Sequence, residues 1–169
     1  MAINKTKYSF TCGVLTLSDK GSQGLRTDTS GPLLIEILEA AGFTNTAYKI
    51  IADHHETITQ TLIEWSDLKK IDLIVTTGGT GLSPTDVTPE AMNDVLEKEI
   101  PGISEAMRSA SMKITPRAML SRGKAGVRGK SLIVNLPGSL KAARENIEAV
   151  LDTLPHAIDK IKGSTEDCG

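Results

Sequence analysis

A glycine-rich segment at 76–91, TTGGTGLSPTDVTPEA, carries the residue types of this chain that are best suited to chemistry. Its backbone N–H groups could hold phosphate oxygens, because glycine lets the main chain approach an anion closely. The predicted phosphate-binding residues are Gly78, Gly79, Thr80 and Gly81. Asp86 follows in the same loop, near the hydroxyl side chains of Ser83, Thr85 and Thr88. The glycines alone would also suit a tight strand-to-helix turn, but the surrounding oxygen-bearing side chains favour a ligand site.

The loop matches neither of two common nucleotide-binding motifs. No Gly-Lys-Ser/Thr follows the glycines, so the segment is not a Walker A loop. The Rossmann dinucleotide fingerprint is also absent. The sequence therefore indicates a nucleotide- or phosphate-handling enzyme of another kind.

A second acidic residue, Asp53, follows another predicted strand. An aspartate at such a place commonly just begins a loop or caps a helix. If it instead approaches Asp86, the two carboxylates suit Mg²⁺ held together with substrate phosphates, because this cation prefers oxygen ligands. His54 and His55 are adjacent and would point in opposite directions on an extended chain, which does not favour a zinc site.

Two further loops follow predicted strands and could join the same site. Ser18 and Asp19 follow the first strand, and the turn Pro137, Gly138, Ser139 follows the last one. Ser139 is predicted to cap the next helix, a role that still allows contact with an anion. A run of basic residues precedes the last strand: Arg117, Arg122, Lys124, Arg128 and Lys130. Such a run usually forms a solvated face, but it could also bind a polyanionic substrate.

The composition bounds the class of protein. The 169 residues, 39% of them hydrophobic, are enough for one domain with a full core, which we place at 1–169. A net charge of −2 argues against a dedicated nucleic-acid partner. Cys12 and Cys168 form no disulfide framework, and we find neither a signal peptide nor a membrane span. We therefore expect a cytoplasmic protein without nucleic-acid or membrane partners.

Strands and helices alternate along the chain. We predict strands at 10–17, 47–51, 73–77 and 131–136. We predict helices after a cap at Thr29 or Ser30, at 57–68, after a cap at Thr88, at 102–114, and from Ser139 through Leu154. The segment 115–130 is predicted to be exposed and mobile. The order predicts an α/β fold, a mostly parallel sheet with helices on both faces, whose ligands bind at the carboxyl ends of the strands.

Three motifs together resemble the molybdenum-cofactor biosynthesis proteins of the MogA/MoaB type, which are related to domains of gephyrin and of a plant enzyme. They are TTGGTGLSPTDVTPEA, the opening LTLSDKGSQG with DTSGP after it, and the turn NLPGS. The resemblance runs from about Cys12 to His156. One departure is Leu140, which follows the NLPGS turn where many relatives have proline and loosens the helix entry slightly.

The resemblance implies a three-layer α/β/α sandwich with a mixed sheet, and molybdopterin adenylyltransferase activity. In that reaction AMP passes from ATP to the terminal phosphate of molybdopterin with Mg²⁺, and pyrophosphate leaves. By matched position, the resemblance implies catalytic and Mg²⁺-binding roles for Asp53 and Asp86. It also implies nucleotide binding by 78–81, Ser18 and Asp19, and pterin binding by Pro137, Gly138 and Ser139.

The resemblance further implies a homotrimer and a downstream molybdate-insertion protein, although hexameric relatives share the same motifs. A non-catalytic molybdopterin carrier of the same fold is the alternative from another class. A third hypothesis is an unrelated ATP-dependent nucleotidyltransferase that uses the same cleft with another acceptor. Whether 115–130 closes over the substrate is left open by the sequence.

Overall fold

The computed structural model describes residues 9–165, and everything structural below concerns that part of the chain. The predictions for the N-terminal eight residues and for Cys168 lie outside it. No helix within 9–165 is both long enough and apolar enough to cross a membrane.

One six-stranded sheet forms the middle layer. Its strands are β1 (Thr11–Leu17), β2 (Thr44–Ile51), β3 (Leu73–Thr77), β4 (Lys98–Glu99), β5 (Ala125–Arg128) and β6 (Ser131–Leu136). They lie in the order β2-β1-β3-β6-β5-β4. The first four in this order are parallel, whereas β5 runs antiparallel to both β6 and β4. The carboxyl ends of β1, β2, β3 and β6 therefore meet at one edge, where ligands of such sheets bind.

Helices cover both faces of the sheet. They are α1 (Asp19–Ser22), α2 (Ser30–Ala40), α3 (His55–Ile63), α4 (Thr88–Val95), α5 (Pro101–Met112), α6 (Leu140–Val150) and α7 (Leu154–Ile161). A π-helical turn, Glu64–Leu68, extends α3, and 3-10 turns occupy Pro116–Leu120 and Leu151–Thr153. Helices α2, α5, α6 and α7 pack on one face, and α3 and α4 pack on the other. The predicted three-layer α/β/α architecture is therefore confirmed.

The strand sequences explain the two cores. Val14, Val75 and Val134 are neighbours across three parallel strands and point into the larger core. One residue earlier, Ile74 and Ile133 point into the other core, as the two-residue period of a strand requires. All of these side chains are inaccessible to solvent, which fits a parallel sheet covered on both sides.

Several sequence predictions needed correction. The segment 115–130 was predicted to be exposed, which holds for the 3-10 turn Pro116–Leu120 but not for the start of β5, where Ala125 and Gly126 are buried. The last helix is not continuous to Leu154, because a 3-10 turn separates α6 from α7. Thr88 is not a cap: Val87 holds that position, and the Thr88 hydroxyl is buried without a hydrogen bond among the described residues. The strands 73–77 and 131–136 are confirmed residue for residue.

Candidate active site

A cleft of about 440 Å³ opens at the carboxyl edge of the parallel strands. The segments that follow β1, β2, β3 and β6 all contribute to its wall, as expected for a sheet of this class. Of the sequence-predicted site residues, the cleft is lined by Ser18, Asp19, Asp53, Gly78, Gly79, Thr80, Gly81, Asp86, Gly138 and Ser139. Four separate loops are thus brought together at one place.

The glycine loop leaves β3 with a backbone that other residues rarely adopt. Gly78 and Gly79 have φ angles of 112° and 66°. The Gly78 N–H donates to the carbonyl of Leu136 at 3.0 Å and is already used inside the fold. The N–H groups of the next three loop residues make no hydrogen bond within 9–165, so they are available to an anion in the cleft. The phosphate-binding capacity therefore lies at 79–81.

The Asp53 carboxylate lies beside this loop. A Cβ atom at Gly79 would stand 3.1 Å from Asp53 Oδ1, and that oxygen is buried without a hydrogen-bond partner among the described residues. Burial, and then the negative charges of Asp19 and Asp86, raise the pKa of the Asp53 carboxyl from 3.8 to about 6. The charges of Asp19 and Asp86 are therefore near enough to disfavour the ionised form of Asp53, and a cation at this place would relieve that repulsion.

Asp86 approaches the opposite end of the same glycine segment. A Cβ atom at Gly81 would lie 2.7 Å from Asp86 Oδ2, so the carboxylate lies directly against the loop backbone. The same oxygen accepts a hydrogen bond from the Ser83 N–H at 2.9 Å, and the Asp86 N–H donates to the Ser83 carbonyl at 2.9 Å. This closed turn fixes the direction of the carboxylate.

Ser18 and Asp19 reach the cleft, but the structure uses them as local supports. The Ser18 hydroxyl accepts from the Gly21 N–H at 3.0 Å and caps α1. Asp19 Oδ1 accepts from the Asp53 N–H at 2.9 Å. Asp19 therefore ties the segment after β1 to the segment after β2 and holds Asp53 in place.

The turn after β6 divides between two cavities. Gly138 and Ser139 line the main cleft, whereas Pro137 lines a neighbouring apolar cavity of about 420 Å³. The Pro137 carbonyl accepts from the Thr77 hydroxyl at 2.7 Å, and the Gly138 carbonyl accepts from the Ser30 hydroxyl at 3.1 Å. The Ser139 hydroxyl accepts from the N–H of Ala142 at 3.3 Å, so its predicted helix cap is confirmed.

Sequence reasoning missed Asp28, which supports the cleft from the β1 side. Its carboxylate accepts hydrogen bonds from the hydroxyls of Thr16 and Tyr48, both at 2.6 Å, and from the N–H groups of Ser30 and Gly31 at 3.1 Å. Burial opposes ionisation of Asp28, but these hydrogen bonds outweigh it and lower the pKa. Thr29 holds the predicted cap position of α2, but its side chain makes no capping hydrogen bond, since Asp28 binds the free N–H groups instead. The signal was the DTSGP motif.

The positive charge of the cleft comes from residues that the sequence analysis passed over. Lys20 and Arg26 line it, close to the Ser18-Asp19 motif. The basic run at 117–130 does not line it. Lys124 pairs with Glu99 at 2.9 Å, and Arg128 binds both carboxylate oxygens of Asp67, at 3.0 and 2.8 Å. These two residues are partly exposed, as expected for a solvated face, but each is paired with a carboxylate.

The residues present fit a divalent cation that the substrate helps to bind. Within residues 9–165, no cluster of three or more His, Cys, Asp or Glu side chains could hold a metal by itself. The unpaired Asp53 Oδ1 and the neighbouring Asp86 carboxylate nevertheless supply hard oxygen ligands beside free N–H groups for phosphates. Mg²⁺ is commonly bound in this way, by one or two carboxylates together with substrate phosphates. His55 pairs with Asp94 at 2.9 Å, and neither His54 nor His55 lines the cleft.

Fold and cleft together define an α/β protein of the class with a ligand cleft at the carboxyl edge of parallel strands. A family model described as "Probable molybdopterin binding domain" matches residues 13–156. The chain therefore belongs to this molybdenum cofactor biosynthesis family.

Comparisons with individual proteins agree with this assignment. The chain is 45% identical over 154 residues to a molybdopterin adenylyltransferase of Helicobacter pylori, with 90% of this chain and 88% of that protein covered. It is 46% identical over 167 residues to gephyrin of Dictyostelium discoideum, and this alignment covers 93% of this chain but only 23% of gephyrin. The crystal structure of the molybdopterin biosynthesis enzyme MoaB from Thermus thermophilus superposes with a TM-score of 0.87. Its sequence is 49% identical, and 92% of this chain and 98% of that chain are covered.

Proposed function

We propose that this protein is a molybdopterin adenylyltransferase, which transfers AMP from ATP to the terminal phosphate of molybdopterin and releases pyrophosphate. Homology to proteins of that name over most of the chain supports the activity. The observation that carries the proposal is the pairing of Asp53 and Asp86 at a loop with free N–H groups. A binding protein has no need of two repelling carboxylates at the phosphate site, whereas a phosphoryl-transfer enzyme does.

The reaction depends mainly on alignment of the two substrates and on compensation of their negative charges. An oxygen of the molybdopterin phosphate forms a bond to the α-phosphorus of ATP, and the bond from that phosphorus to its bridging oxygen breaks. Pyrophosphate leaves with the electron pair. The attacking phosphate is already ionised at neutral pH, so no strong general base is needed. Two anions must instead be held close together, which makes the barrier electrostatic and positional.

The residues take separate roles in this reaction. The N–H groups at 79–81 bind phosphate oxygens of the nucleotide, and Lys20 and Arg26 offset their charge. Gly138 and Ser139, on the far loop, lie on the acceptor side. Asp53 and Asp86 would hold Mg²⁺, which when bound neutralises charge on the transferred phosphate. Asp19 keeps Asp53 in place through the N–H hydrogen bond.

A pyrophosphate assay tests the proposal. Purified protein is incubated with molybdopterin, ATP and Mg²⁺, and omission of molybdopterin is the control. Pyrophosphate that depends on all three components is the expected result. Molybdopterin binding without pyrophosphate would instead assign a carrier, and pyrophosphate with another acceptor alone would assign an unrelated nucleotidyltransferase.

The protein would act as a cytoplasmic homotrimer that passes its product to a molybdate-insertion protein. Support for self-association comes from large apolar side chains that are exposed at the end of α5, in the segment from α5 to β5, in the glycine loop and at the start of α6. They are Leu82, Met112, Ile114, Met119, Leu120 and Leu140, each 45–64% exposed. Light scattering after size-exclusion chromatography distinguishes a trimer of about 54 kDa, three times the 18.0 kDa chain mass, from a hexamer of about 108 kDa. A monomer would contradict this part of the proposal.

A further inference from the structure

Arg122 makes an unusual set of contacts with the loop that carries Asp86. Its backbone N–H donates to the Thr80 carbonyl at 2.9 Å. Its Nε donates to the Gly81 carbonyl at 2.9 Å, and its Nη2 donates to the Asp86 carbonyl at 2.8 Å. The remaining nitrogen, Nη1, pairs with the carboxylate of Glu90 on α4. A single side chain thus spans the beginning and the end of the loop.

The loop has few other means of holding its shape. Residues 82–85 are exposed to solvent, and Leu82 leaves 64% of its surface accessible. Burial of apolar surface therefore does little to fix this part of the chain. The internal turn between Ser83 and Asp86 sets the local shape. Among residues 9–165, the guanidinium group of Arg122 is the side chain that hydrogen-bonds to both Gly81 and Asp86 and so ties this turn to its surroundings.

Arg122 is itself anchored by the rest of the fold. Arg108, on α5, donates from Nη1 to the carbonyls of Ser121 and Gly123, at 3.4 and 3.2 Å. These are the two residues that flank Arg122 in the chain. The connection therefore runs from a packed helix, through the backbone at 121–123, to the guanidinium group and the loop.

We propose that Arg122 is a positioning residue that clamps the loop at 81–86, so that the Asp86 carboxylate stays aligned with the phosphate-binding N–H groups. The inference rests on the proposed adenylyl transfer for its kinetic consequence. The clamp does not need Arg122 to touch a substrate, and Arg122 does not line the cleft.

Only an arginine can make this set of contacts. The planar guanidinium presents donors in fixed directions and can serve two carbonyls and a carboxylate together. A lysine keeps the positive charge but has one nitrogen and cannot reach both ends of the loop. Arg122→Lys therefore removes the hydrogen bonds of the clamp and keeps the positive charge.

Arg128→Lys is the matched control. Arg128 uses the same kind of side chain to bind Asp67 and the Val95 carbonyl, at 3.1 Å for the latter, but it lies outside the cleft and its loops. Its replacement measures what the loss of an arginine clamp costs in stability alone. Both variants are compared with the wild type by pyrophosphate release and by hydrogen–deuterium exchange of the amides at 79–86.

The clamp predicts a kcat at least tenfold lower in Arg122→Lys, a higher Mg²⁺ concentration at half-maximal rate, and faster exchange at 79–86. Arg128→Lys is expected to change none of these. A wild-type kcat in Arg122→Lys, or an equal fall of kcat in both variants, would overturn the inference. If the wild type releases no pyrophosphate, the proposed function fails. The exchange measurement still tests the clamp, because equal exchange rates at 79–86 in the wild type and Arg122→Lys would refute it. Arg122→Gln replaces the lysine variant if that variant does not fold, with the same expected results.

Discussion

Replacing Asp53 by asparagine is expected to make the folded protein more stable while it removes the proposed activity. The carboxylate is held beside the negative charges of Asp19 and Asp86, with one buried oxygen that receives no hydrogen bond among the described residues. The asparagine side chain has nearly the same shape and no charge. Its amide can also donate a hydrogen bond to a neighbouring carboxylate.

The size of the gain follows from the pKa of Asp53. A rise from 3.8 to about 6 corresponds to about 3 kcal/mol of unfavourable free energy for the ionised form, at about 1.4 kcal/mol per pKa unit. The side chain is only partly buried, so solvent screening reduces this to about 1–1.5 kcal/mol. For a chain of this length that gain raises Tm by about 3 °C.

The sign of the pH dependence is fixed by the direction of the shift. The folded state holds the proton more tightly than the unfolded state, so the wild type loses stability as pH rises from about 4 to about 6. The advantage of Asp53→Asn should therefore be constant above pH 7 and should shrink as pH falls towards 4.

Differential scanning calorimetry in EDTA measures the effect at pH 8 and pH 5. Asp152→Asn, an exposed aspartate outside the cleft, serves as the control and should leave Tm unchanged. Mg²⁺ added together with ATP should raise the Tm of the wild type more than that of Asp53→Asn, because only the wild type keeps both carboxylate ligands. A lower Tm for Asp53→Asn at pH 8 without Mg²⁺ would refute the reasoning.

Three further changes probe the same cleft. Asp86→Ala should reduce kcat by about a hundredfold or more while molybdopterin affinity, measured by titration, stays largely intact; equal turnover at saturating Mg²⁺ would contradict the assignment. Gly79→Ala should lower the free energy of unfolding in urea by about 2–4 kcal/mol, since φ is 66° and its Cβ would lie 2.0 Å from Thr88 Oγ1. Adding Thr88→Ala should recover part of that loss, and no recovery would exclude the clash. Asp28→Asn should cost about 2 kcal/mol at pH 7, and because hydrogen bonds lower the Asp28 pKa, that difference should begin to shrink as pH falls below about 4 and vanish only below the lowered pKa of the folded state; a constant difference would argue against them.

The central strands could be predicted because strands buried on both faces consist mostly of consecutive apolar residues, a pattern that is visible in the sequence. Residues 73–77 and 131–136 are continuous runs of mostly apolar side chains, as expected for strands covered on both faces. β5 has no such apolar run, because it has four residues and one of them is glycine. Its antiparallel pairing with β6 depends on a turn at Gly129, which has φ of 55°. A short strand of this kind is defined by the strands that it pairs with and not by its own composition.

Side chains that act on the backbone were also out of reach of the sequence. Arg122 belongs to a basic run whose five members look alike along the chain, yet it alone among them holds the glycine loop. Its partners are carbonyl groups about 40 residues away, and every residue carries a carbonyl. Asp28 was hidden for a similar reason, since two of its four hydrogen-bond donors are main-chain N–H groups.

The role of Asp53 could not be predicted from its residue type alone. Its sequence position, between β2 and α3, allowed both a helix cap and a ligand. In the fold His54 occupies the cap position, and the Asp53 side chain caps nothing. A carboxylate with one buried oxygen that accepts no hydrogen bond among the described residues, placed near two like charges, is destabilising unless something positive binds there. The fold keeps Asp53 in that position by a hydrogen bond from its own N–H to Asp19, so the unfavourable arrangement is maintained by the structure itself, as expected for a site that binds a cation with its substrate.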